Sequence, residues 1–88
     1  SSLHADDLDF LENIEVYQSN NQLVVAPQNT SEATYRIEVY DVLGRCLMTK
    51  PLTAGRQVIL LNTPSQLLNI RLSIGAHQHT VKTWWQVD

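Results

Sequence analysis

The stretch IEVYDVLGRCLM, residues 37–48, reads as two β-strands meeting at a four-residue corner, Asp41-Val42-Leu43-Gly44. In a type I turn an Asp at the first position accepts a backbone N–H from two residues on. The last position takes positive φ, which glycine adopts without strain. Asp41 and Gly44 match those places, whereas the central positions have ordinary φ/ψ and accept any side chain. The apolar character of Val42 and Leu43 therefore needs a cause outside the turn. The expected cause is burial, with both side chains folded over the open end of the core. The alternative is an interface knob with Asp41 and Arg45 as its polar rim.

Working outward, residues 35–40 place Tyr35, Ile37 and Val39 on one face and Arg36, Glu38 and Tyr40 on the other, the two-residue period of a half-buried strand. Leu68, Ile70, Leu72 and Ile74 alternate in the same way with Asn69, Arg71 and Ser73. Further strands are expected at residues 14–18, 22–26, 45–49, 57–61 and 79–87. The pair flanking Ser19-Asn20-Asn21 makes one hairpin and the pair around Gly75-Ala76-His77-Gln78 another. Pro27 is expected to stop the second strand, and residues 50–55 form a connection. The continuous run 57–61 suits a strand covered on both sides. The fold expected is all-β, an Ig-like antiparallel β-sandwich of about seven strands over residues 13–88. Residues 1–12 are set apart as an acidic linker with room for at most a helical turn after Asp6.

Eighty-eight residues support one core, since so short a chain buries only about 60–65% of its unfolded surface. At 43% hydrophobic and 17% charged, it is too apolar to be a disordered tail. The formal charge is -3 and the basic residues are scattered along the sequence, so nucleic acid is not an expected partner. The longest apolar runs fall far short of the ~20 residues that span a bilayer, and no direct membrane insertion is expected. The opening residues are polar and acidic, unlike a signal peptide. A start without Met fits a piece of a longer protein whose targeting segment lies elsewhere.

Cys46, the lone cysteine, forms no internal disulfide and is expected to be a buried, inert thiol. His77 and His79 share one side of an extended segment, but no third ligand accompanies them, so no metal site is expected and no cofactor is implied. Trp84 and Trp85 must face opposite ways, one to the core and one to water. No nucleophile elbow, paired carboxylates or metal pattern appears, and an enzyme is not expected.

Tyr40-Asp41-Val42-Leu43-Gly44-Arg45, preceded by Ile37-Glu38-Val39, resembles the YDxxGR hairpin of type IX secretion system C-terminal sorting domains from Bacteroidetes. Glu15-Val16-Tyr17 before Gln22-Leu23-Val24-Val25, the alternating strand 68–74, and Thr80-Val81-Lys82 follow the family's order. Three features depart from it. Gln18-Ser19-Asn20-Asn21 replaces Pro-Asn-Pro, Gln66-Leu67-Leu68 replaces Gly-x-Tyr, and Trp84-Trp85-Gln86-Val87-Asp88 is an acidic rather than basic ending. The resemblance implies a non-enzymatic sorting module, recognised by the type IX translocon and then by a surface sortase that cleaves the upstream linker and anchors cargo to lipopolysaccharide. It would pass through the periplasm to the cell surface or be secreted. The recognition surface so implied spans residues 41–45 and 68–82, with Asp41, Val42, Leu43, Gly44, Arg45, Arg71 and Lys82 as its candidate residues. Trp84 is added as a candidate partner contact, with the choice of exposed tryptophan between Trp84 and Trp85 left open. The departures imply an alternative, a retained β-sandwich adaptor making protein–protein contacts in a surface complex. A carbohydrate-binding module is a third class, resting only on exposed aromatics. An exposed sheet edge is also expected to permit a strand-mediated dimer in isolation.

Overall fold

The computed structural model describes residues 9–28, 34–53 and 55–87. One helical turn at residues 9–12 precedes seven strands. They are β1 (Ile14–Ser19), β2 (Gln22–Pro27), β3 (Tyr35–Tyr40), β4 (Cys46–Leu52), β5 (Gln57–Leu60), β6 (Gln66–Ile74) and β7 (His77–Trp85). They form two antiparallel sheets, ordered β1-β2-β5 and β4-β3-β6-β7. The expected Ig-like β-sandwich is what the chain adopts.

Alternation chooses the buried side. Tyr35, Ile37 and Val39 of β3 and Leu68, Ile70 and Leu72 of β6 point inward, against Leu23 and Val25 of β2 and Ile59 of β5. Each fully buried aliphatic side chain contributes about 1.5–3 kcal/mol, so this layer supplies most of the driving force. Trp85 closes one end, with its Nε1 donating to the Thr63 carbonyl at 3.2 Å. Two short hairpins fix register. Ser19 pairs with Gln22 across Asn20-Asn21, where Asn20 has φ 57°, and Ile74 pairs with His77 across Gly75-Ala76.

Several expectations need correction. Residues 10 and 11 belong to the sandwich and not to a detached linker: the helical turn drives Phe10 and Leu11 into the core, and Phe10 meets Tyr35 edge-on at 5.5 Å. Residues 1–8 of that segment lie outside the described residues. Strand β2 ends at Pro27, as expected. Pro51, expected in a connection, lies inside β4, where it is tolerated because β4 is an edge strand with a ladder on one side only. Strand β5 is covered on one side only. Ile59 is buried while Val58 and Leu60 are exposed, because β5 is an edge of the three-stranded sheet.

Candidate functional site

The corner between β3 and β4 is organised by Asp41. Its backbone N–H donates to the Arg45 carbonyl at 3.0 Å, and its own carbonyl accepts the Gly44 N–H at 3.0 Å. Oδ1 accepts the N–H groups of Leu43 and Arg45, both at 2.9 Å, and Oδ2 receives Arg45 Nε at 2.7 Å. Gly44 takes φ 85°, as the turn demands. The Arg45 N–H bond, ahead of the remaining contacts from Arg45 and Leu43, holds the Asp41 carboxyl below the usual carboxylate range, against an upward push from desolvation. Asp41 is only 2% exposed, so its charge serves the turn.

That anchoring leaves Val42 and Leu43 outside. They are 61% and 75% exposed, so the expected burial over the core does not occur. The central turn residues project away from the sandwich, and at this end of the sheet the core is closed by Trp85. Cys46 is exposed as well. Val39 pairs with Met48 but Tyr40 pairs with Cys46, so Leu47 is an extra residue in a β-bulge. Without the bulge Cys46 would share Met48's inward phase; with it, Cys46 lies opposite outward-facing Tyr40.

Beside the turn lies a shallow hollow of about 360 Å³, lined by Tyr40, Asp41, Val42, Gly44, Asn69, Arg71 and Thr80. Its polar wall is a network on the outer side of the four-stranded sheet. Arg71 Nε lies 3.3 Å from Glu38 Oε1, and Nη2 donates to Tyr40 Oη at 2.7 Å. Tyr40 in turn donates to Glu38 Oε2 at 2.7 Å, and the Arg71 guanidinium lies 5.0 Å from the centre of its ring. Donation to Glu38 is the main cause raising the Tyr40 pKa.

The sheet therefore brings Asp41, Val42, Gly44 and Arg71 around one hollow, with Leu43 and Arg45 on the adjoining turn. Lys82 stands opposite Asn69 on the same face, and Trp84 stands opposite Leu67 one row further on. Trp84 is 57% exposed and its Nε1 donates to Gln86 Oε1 at 2.9 Å, whereas Trp85 is buried. Asn69 and Thr80 fall within the expected stretch 68–82, whereas Glu38 and Tyr40 were missing from the expected surface. Their signal was the outward phase of each strand, but the lateral pairing that unites them is not written in any one strand. His77 and His79 lie on the inward phase of β7, opposite Ile74 and Leu72. Among the described residues no group of three or more His, Cys, Asp or Glu could hold a metal ion, and no helix is long and apolar enough to cross a membrane.

No family model matches the chain, and no curated protein matches it significantly. Among solved structures it is similar to part of Lactobacillus rhamnosus beta-glucuronidase, at 13% identity and a TM-score of 0.43. That similarity covers 83% of this chain and 15% of the other.

Proposed function

We propose that this sandwich is a non-enzymatic sorting module, of the kind that type IX translocon and sortase components recognise for export across the outer membrane. The observation that carries the reading is the corner at 41–45. Buried Asp41 spends its carboxylate on stiffening a turn whose two central apolar side chains are presented to water. A fold under pressure only for stability has no reason to hold Val42 and Leu43 there, whereas a recognition surface gains a rigid apolar anchor inside a polar rim.

The test fuses residues 1–88 behind a secreted reporter in a type IX-competent cell. Surface delivery is expected, with loss on Leu43→Asp at unchanged melting temperature. A reporter that reaches the surface equally well without the module overturns the proposal. A second reading, a retained adaptor in a surface complex, is supported by exposed Trp84 beside the acidic aromatic ending. The mature mass of the parent separates the two: loss of the domain supports a cleaved signal, and retention supports the adaptor.

A further inference from the structure

We propose that the outer face of the four-stranded sheet docks an acidic, extended protein segment. This names a partner class for the surface read above as a recognition face, and it rests on that reading but not on any secretion route.

The cations are scattered in sequence and gathered in space. Directly opposed residues of antiparallel strands project to the same side. Buried Ile37, Val39, Ile70 and Leu72 fix the inner side, so Arg36 and Glu38 of β3, Arg71 of β6 and Lys82 of β7 share the outer one. Three cations against one anion give this face a formal charge of +2, within a chain whose total is -3. Glu38 is occupied by Arg71, Arg36 contacts the neutral Thr49 hydroxyl at 3.0 Å, and Lys82 has no ion-pair partner among the described residues. Arg45, at the rim, is matched by Asp41.

Charge complementarity selects an acidic partner. Three cations on a pleated face are too few for the run of phosphate contacts that holds a nucleic acid. A protein segment also uses what surrounds them: exposed Val42 and Trp84 as apolar anchors at one end of the face, and the hollow between Tyr40, Asn69 and Thr80 for a side chain. The β7 edge is the least guarded of the two bounding this sheet. It runs nine residues without proline or bulge, whereas β4 carries Pro51 and the bulge at Leu47.

The test titrates the isotope-labelled 88-residue chain with a short synthetic peptide alternating Glu and Leu, and with its Gln-for-Glu counterpart, following backbone amide and indole resonances. The Glu peptide is expected to shift Asn69, Thr80, Lys82 and the Trp84 indole, and to weaken as salt rises from roughly 0.05 to 0.5 M. Arg36→Glu with Lys82→Glu, both at exposed positions, is expected to weaken binding about tenfold while preserving the spectrum elsewhere. Equal binding of the Gln peptide, shifts confined to the three-stranded sheet, or no shifts at all would overturn the proposal. Peptide binding by a module that fails to export the reporter sinks the sorting reading alone. Export without peptide binding sinks this inference alone.

Discussion

Asp41 shows how a nearly dry carboxylate keeps its charge: two backbone N–H groups and the Arg45 guanidinium replace the water it lost. Because its folded pKa is depressed, its stabilising contribution is present above the unfolded value, about pH 4, and is lost as pH falls through the folded value. Asp41→Asn is therefore expected to lower the melting temperature at pH 7 by about 5 °C. The gap to the unsubstituted protein should close as the medium is acidified from about pH 4 down through the depressed value. A gap that is constant with pH in thermal melts would assign Asp41 a neutral hydrogen-bonding role instead. Tyr35 is the opposite case. Its ring is buried against Phe10, its hydroxyl has no hydrogen-bond partner among the described residues, and burial raises its pKa. Tyr35→Phe removes an unsatisfied polar atom at constant shape. Chemical denaturation should show stability unchanged or raised by about 1 kcal/mol; a clear loss would mean that the hydroxyl does find a partner.

At the scale of the element, the hairpin joining β3 to β4 separates backbone demands from surface demands. A Cβ at Gly44 would meet no atom within 4 Å, yet the residue sits at φ 85°. Gly44→Ala should therefore cost about 1–2 kcal/mol through conformation alone. Leu43→Asp, one residue earlier on an exposed side chain, should change stability by less than about 0.5 kcal/mol. Urea unfolding of the two variants checks both. The reverse ranking would mean that Leu43 is packed and that the knob reading is wrong. The turn's chemistry was legible in Asp41 and Gly44 because it is local, and the inward faces of β3 and β6 were legible because a period of two survives any pairing. Cys46 was not legible: one inserted residue, Leu47, reverses the phase, and a bulge leaves no mark in composition. Phe10 and Leu11 were missed because a single helical turn is too short to show a period.

For the whole molecule, the charge on the outer face belongs to the topology. Arg36, Arg71 and Lys82 are neighbours only because β3, β6 and β7 lie side by side, so sequence spacing alone could not reveal the patch. Closure of the sandwich has the same non-local character. The Gln18 amide of β1 accepts the Gln86 N–H at 2.9 Å and donates to the Gln86 carbonyl at 2.6 Å, standing in for one rung of a ladder between the two sheets. Ser65 accepts the Val87 N–H at 2.7 Å, and Trp85 just before them is sealed into the core. Two sheets that share no backbone ladder are thus tied at one end by side chains, and the ties should be energetically coupled. Trp85→Ala is expected to cost about 3–5 kcal/mol, most of the stability of so small a domain. Gln18→Ala, and removal of residues 86–88, should each cost only about 1 kcal/mol, because these bonds are exposed. Combined, the two should cost less than their sum, since each removes the other's partner. A double-mutant cycle by calorimetry measures that shortfall. Strict additivity would mean that the Gln18 amide holds nothing across the gap and that Trp85 alone keeps the sheets together.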